Sequence, residues 1–256
     1  MSDLYDAADR GDLERVQVLV EQGADKDEYG GHYGQTPLYI ASENGHMPVV
    51  RYLVEQGADM EKASDNGETP VMIASWNGHL EVARYLLEQG AKRDKAGNDG
   101  RTSLHIAASY RGNLDVTRYL LEQGANRDKT SNSGRTSLHA AAYGGHLETA
   151  KLLMVYGADL NARDTHGQLP IDMGFHNTEE IKQAIRDEPR RRMDHGHKRA
   201  TEQDRHPNAA ASASAEEENK VEAEEPSNKR PRLEEGEAEV AEEDQDSEPS
   251  SDEEDA

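Results

Sequence analysis

Cysteine is absent from the 256-residue chain, which excludes a disulfide framework, a thiol nucleophile and any cysteine-based zinc site. Aromatic residues are sparse, with one Trp, one Phe and ten Tyr. With only 34% hydrophobic residues, the chain is thin for one large globular core and better suited to small packed modules plus a polar extension. Basic charge is also short: 29 Lys and Arg stand against 52 Asp and Glu, a formal charge of −23. No overall positive field is present to grip a phosphate backbone, so direct nucleic-acid binding is not expected. Long apolar runs are missing too. Stretches such as Val49–Val54 fall far below the roughly 20 residues that span a bilayer. The opening MSDLYDAADRGDL lacks a basic-then-apolar leader pattern, so the expectation is a soluble intracellular protein without a membrane partner.

Catalytic signatures are equally scarce. The sequence has no glycine-rich phosphate cradle followed by Lys-Ser/Thr, no G-x-S-x-G elbow and no kinase motif set. Carboxylates are plentiful, but they fall in turns and in the tail, with no cleft to shift their titration. A non-enzyme without cofactor or metal is expected. Asp194-His195-Gly196-His197 is the nearest approach to a metal motif, and a short basic tail holds such a pair weakly.

What the chain does contain is a beat. Thr36-Pro37-Leu38-Tyr39, Thr69-Pro70-Val71-Met72, Thr102-Ser103-Leu104-His105 and Thr136-Ser137-Leu138-His139 follow at intervals of 33, 33 and 34 residues. Gly-Ala pairs at Gly23, Gly57, Gly90, Gly124 and Gly157 keep the same time. A period near 33 means stacked units that bury their apolar faces against neighbours. Within one unit, Asp65-Asn66-Gly67 signals a turn. Thr69 caps a helix with Pro70 at its first position. Val71, Ile73 and Ala74 give a short apolar face before Asn77-Gly78 breaks the helix. Leu80, Val82, Ala83, Leu86 and Leu87 then recur at helical spacing until Gly90.

TPLYIASENGH, TPVMIASWNGH and RTSLHAAAYGGH resemble the ankyrin repeat, whose T-P-L-H-x-A signature and two-helix unit they share. The resemblance implies an all-α ankyrin-repeat solenoid of helix-turn-helix units joined by short β-hairpin turns, followed by a disordered tail. We read a cap over 1–30, repeats over about 31–64, 65–96, 97–130 and 131–163, a closing repeat over 164–188 and a tail over 189–256. Ser103 and Ser137 replace the signature proline, one extra residue lengthens Tyr110-Arg111-Gly112, and another lies in Asp27–Tyr33. The recurring histidines, His46, His79 and His146 at the inter-helix turn and His105 and His139 in the signature slot, are expected to hydrogen-bond backbone.

The resemblance also places a binding surface, the concave face and the hairpin tips. Trp76, Tyr110 and Tyr143 end the first helices, where the preceding unit has Glu43 and Asn44. Tyr and Trp are the usual anchors of protein interfaces. With Glu43, neighbouring Asn77 and Arg111 and the tip residues Tyr33, Asp65, Glu68, Asp99, Arg101 and Arg135, they form the candidate partner-binding set for a monomeric module. Tyr52, Tyr85 and Tyr119 repeat in register in the second helices and are expected to pack in the stack.

In the tail, Lys229-Arg230-Pro231-Arg232 resembles a short basic nuclear-import signal, implying an import receptor as a partner and a location in the nucleus, the cytoplasm or both. Ser250 and Ser251 precede Glu253 and Glu254 by three residues, resembling the site of an acid-directed kinase. Residues 233–256 hold 13 acids and no base, so histones or other basic proteins are an alternative partner class. Such a segment cannot bury enough apolar surface to order itself.

Overall fold

The structure, a computed structural model, describes residues 3–173 and 179–188. Ten α-helices follow one another in pairs: α1 Asp3–Arg10 and α2 Leu13–Glu21, α3 Pro37–Glu43 and α4 Met47–Glu55, α5 Pro70–Asn77 and α6 Leu80–Glu88, α7 Ser103–Ser109 and α8 Leu114–Glu122, α9 Ser137–Gly144 and α10 Leu147–Val155. A 3-10 turn at Pro170–Asp172 and a helix over 179–188 close the described part. First helices pack on first helices (α1, α3, α5, α7, α9), and second helices stack on second helices behind them.

In α3, α5, α7 and α9 a threonine stands at the N-cap. Thr36, Thr69, Thr102 and Thr136 hold an extended conformation, with ψ between 164° and 171°. The Thr36 hydroxyl accepts the Tyr39 amide at 3.1 Å, satisfying one of the donors a helix start leaves open. Behind the cap, Leu38, Leu104 and Leu138 are fully buried, as are Leu53, Leu86, Leu120 and Leu153 of the second helices. Each such leucine contributes about 1.5–3 kcal/mol by leaving water. The sequence predicts one apolar face for α5. Instead Val71, Met72, Ile73, Ala74 and Ser75 are all buried, because α3 and α7 flank the helix and α6 backs it.

Histidine and glycine tie successive units together at the inter-helix turn. His46 Nε2 lies 2.9 Å from the Asp9 carbonyl, His79 2.9 Å from that of Glu43, and His146 3.0 Å from that of Ser109. The ring needs glycine in the unit before it. Gly45 sits at φ +73°, and a Cβ there would stand 2.6 Å from His79 Nδ1, so both strain and collision select against a side chain. In the third junction the task passes to Asn113, whose amide donates to Ser75 O at 2.8 Å and Trp76 O at 2.9 Å.

Both expected insertions are visible as longer spans. The Asn113 amide reaches back six residues to Ala107 O, where His46, His79 and His146 reach back five. The first hairpin closes from Gly30 to Gln35, the later ones from Ser64 to Glu68, Gly97 to Arg101, Ser131 to Arg135 and Asp164 to Gln168. These hairpins are too short for a ladder. Among the described residues the backbone forms no strand, only an isolated antiparallel bridge between Gly30 and Gln35. The tips are instead laced to one another, with Asp65 N donating to Tyr33 O at 2.9 Å, Asn98 to Asn66 O at 3.1 Å, Asn132 to Asp99 O at 2.9 Å and Thr165 to Ser133 O at 3.0 Å.

On the second-helix side, Arg51 lies 5.2 Å from the Tyr85 ring centre and Arg84 5.3 Å from that of Tyr119. Two of the three in-register tyrosines, Tyr85 and Tyr119, thus each take a cation–π contact from the unit before.

Candidate interaction surface

Five of the candidate residues converge on one cleft. Trp76 from the end of α5, Tyr110 from the turn after α7, Tyr143 from α9, and Arg101 and Arg135 from two successive hairpins line a cavity of about 290 Å3, with His105, Ser109, Ser131, Ser133 and Ala140. Trp76 and Tyr143 stand at corresponding positions, seven residues after their capping threonines, whereas that position between them is the small Ser109. The longer turn lets Tyr110 fold back over Trp76, and the rings stack at 4.6 Å and 15°. Tyr110 stays 62% exposed and Tyr143 48%, so both faces of the cleft meet solvent.

The arginines are aimed rather than loose. Arg135 Nε donates to Asp164 Oδ2 at 3.3 Å, and its guanidinium lies 5.7 Å from the Tyr143 ring centre. Asp164 is itself buried, with Oδ1 accepting the His166 and Gln168 amides, each at 2.9 Å. Desolvation works to raise its carboxyl, but those amides and the Arg135 guanidinium outweigh it and hold it below the usual carboxylate range. Arg101 pairs through Nε with Asp99 Oδ2, and Asp99 Oδ1 accepts the Arg101 amide at 2.9 Å. Here too desolvation is overcome by these bonds, and the carboxyl sits low. His105 lines the floor without a free nitrogen. Nδ1 accepts from Thr102 N at 3.2 Å and Nε2 donates to Arg135 O at 3.0 Å.

The remaining candidates lie elsewhere. Tyr33 is exposed at the first tip and Asp65 at the second, while Arg111 is exposed beside Tyr110. Asn77 is half-buried and donates to Ile73 O at 3.4 Å. Glu68 is half-buried and accepts the Tyr39 hydroxyl at 3.2 Å, which makes it a bracket between units as well as a tip residue. Burial pushes the Glu43 carboxyl above its ordinary range, and Asp9 and Glu68 push it the same way. The surface therefore changes character along the stack, from carboxylates with tyrosine at Glu43 and Glu68 to arginine with aromatic rings at Arg101 and Arg135.

Sequence reasoning missed Asp164, Asn113 and the cleft serines. For Asp164 a signal existed: Asp164-Thr165-His166-Gly167 is an Asx-turn opening whose carboxylate caps local amides. Asn113 follows Gly112 as histidine follows glycine in the other turns. Among the described residues no three or more His, Asp or Glu come together as a metal-ligating group, and no described helix is long and apolar enough to cross a membrane. The import-like motif, Asp194–His197, Ser250, Ser251 and the acidic run lie outside the described residues.

The family model for ankyrin repeats (3 copies) matches residues 4–96 and 91–164. The chain belongs to the ankyrin-repeat family. No curated protein matches it. Ankyrin repeats are in general protein–protein interaction modules and typically non-catalytic, and the fold alone names no partner.

Proposed function

We propose that this ankyrin protein is a non-catalytic scaffold that holds a partner protein on the concave side of the stack, through Trp76, Tyr110 and Tyr143, with the hairpin tips setting specificity. One observation carries the reading: ordered aromatic side chains remain open to solvent at Tyr110 and Tyr143, where other units place Asn44 or Asn77 in the slot of the first and Glu43 or Ser109 in that of the second. Rings that served only the stack would be covered. A preorganised surface of this kind loses little entropy on binding, and truncating such an anchor costs ~2 kcal/mol or more. The test is affinity capture from native extract with the full chain and with its Trp76→Ala/Tyr143→Ala variant. The variant should lose its captured partner while keeping helical content and melting temperature; undiminished capture refutes the reading.

A nuclear role rests on Lys229, Arg230 and Arg232 standing as a basic island in an acidic region, where an acidic groove of an import receptor would take them. Replacing all three by alanine should shift a fluorescent fusion towards the cytoplasm. The 13 acids of residues 233–256 favour a second reading, a polyanion that binds histones, whose affinity would fall steeply with salt. Failure of residues 233–256 to bind histones at low salt would remove it.

A further inference from the structure

The cleft carries a chemistry that unselective protein contact does not require. Its volume of about 290 Å3 lies just below the roughly 300–1,000 Å3 of ligand pockets and is enough for one large side chain and its backbone. One wall is a flat two-ring stack, Trp76 on Tyr110 at 4.6 Å; the other is Tyr143 backed by the Arg135 guanidinium at 5.7 Å. Planar walls favour a planar guest.

Charge then narrows the guest. In a chain of net charge −23, the position before the capping residue is Gln35, Glu68 and Gln168 in three hairpins but arginine in the two that border the cleft. Both arginines are tethered through Nε, Arg135 to buried Asp164 and Arg101 to Asp99. A tethered, ring-backed guanidinium surrenders little rotamer freedom on meeting a carboxylate, and its planar fork matches two oxygens. Ser131 and Ser133, whose hydroxyls lie 3.0 Å apart, add donors at the same mouth. A cationic guest would meet two guanidiniums here.

We propose that the cleft receives an aromatic side chain from an extended partner segment and that a carboxylate flanking that ring is held by Arg101 and Arg135. The proposal rests on the scaffold reading above and specifies its partner as an acidic, aromatic-bearing peptide.

Trp76 is the one tryptophan of the chain, so its emission reports on the cleft directly. The experiment titrates the full chain with acetyl-Ser-Asp-Phe-Asp-Ser-amide and with three relatives carrying Asn for Asp, Lys for Asp, or Ala for Phe. The Asp-Phe-Asp peptide should give a saturable change in Trp76 emission. Loss of one charge-assisted contact weakens binding by about tenfold, so the Asn peptide should bind at least that much more weakly. The Lys and Ala peptides should not saturate. Arg101→Gln should weaken the Asp peptide by about tenfold at unchanged melting temperature. Arg135→Lys, which keeps the charge and loses the fork, should weaken it as well. Equal binding of the Lys or Asn peptide, or indifference to both arginine variants, overturns anion recognition while leaving the groove as a binding surface. Absence of saturation with every peptide overturns the aromatic socket itself, and partner capture by the Trp76→Ala/Tyr143→Ala variant separately decides whether the scaffold reading survives.

Discussion

Replacing Ser103 and Ser137 by proline restores the residue that Pro37 and Pro70 supply in the two preceding repeats. At both positions the backbone is already prepared. Thr102 and Thr136, the residues before the substitution, sit at φ −99°, ψ 171° and φ −89°, ψ 171°, the extended region that a residue preceding proline prefers. Thr69, which does precede a proline, sits at φ −89°, ψ 165°. The N–H that proline lacks is one that a helix start leaves without an internal acceptor. Two effects add. Proline removes unfolded-state freedom, about 0.4–1 kcal/mol per site. The serine hydroxyls are buried, with no hydrogen-bond partner at Ser103 or Ser137, and relief of a buried unsatisfied group recovers about 1 kcal/mol. Each variant should therefore gain about 1–2 kcal/mol, equivalent to a rise of roughly 2–8 °C in Tm for a domain of this size. Urea unfolding followed by circular dichroism measures the first quantity, and a thermal melt the second. A loss of stability in either variant would show that the space around α7 and α9 is closed to a ring that α3 and α5 accommodate. The capping geometry would then not be equivalent from repeat to repeat.

Asn113→Ala removes donors to the Ser75 and Trp76 carbonyls and should cost about 1–3 kcal/mol in urea unfolding; an unchanged midpoint would mean that water replaces the amide without penalty. Burial pushes the imidazoles of His105 and His139 down, against the opposing pull of the Arg135 and Gln168 carbonyls. A histidine with a depressed folded-state pKa binds its proton more readily when unfolded, so stability is full above about pH 6.5 and declines as pH falls below it. Protonating Nδ1 of His105 would also abolish its bond from the Thr102 amide. The stability difference between the wild-type protein and His105→Gln, measured by urea unfolding from pH 8 to about pH 5, should therefore shift against the wild type as pH falls. The raised Glu43 carboxyl acts in the opposite sense in both proteins and cancels in the difference. A pH-independent difference would refute the assignment.

Local rules made most of the fold legible. Thr-Pro marks a helix start because its hydroxyl and fixed φ act within one turn, and Gly-His marks the inter-helix turn because a positive φ is cheap only at glycine. Leu38, Leu104 and Leu138 could be assigned to the core from periodicity alone. What escaped depends on which distant side chains meet. Glu68 reads as a free tip residue, but Tyr39, 29 positions earlier, claims it. Arg135 reads as a surface cation, yet it is directed by Asp164, which belongs to the following hairpin. The aromatic slots could be named as a set; that Tyr110 would lie on Trp76 rather than extend into solvent could not, since an added residue in a turn fixes no direction.

That added residue is also what separates surface from scaffold. Strict repetition produces equivalent units, and equivalent units present the same features at every step: a threonine cap, a buried leucine, a histidine on the previous carbonyl. Such a stack is stable and featureless. The cleft arises where equivalence fails, with Ser109 in place of a large residue, a turn one residue longer, asparagine in the histidine position, and arginine replacing glutamine or glutamate before two caps. Asn113 is the compensating element, because it keeps the inter-unit bond that the longer turn would have broken and fastens the carbonyl of Trp76 itself. Rigidity is thereby preserved at the one place where the pattern opens. The same argument directs attention to the carboxylate end, where Tyr39 replaces the signature histidine and reaches Glu68. A partner lying along the stack would meet arginines at one departure from the repeat and carboxylates at the other, so the charge along its own surface must be complementary in that order.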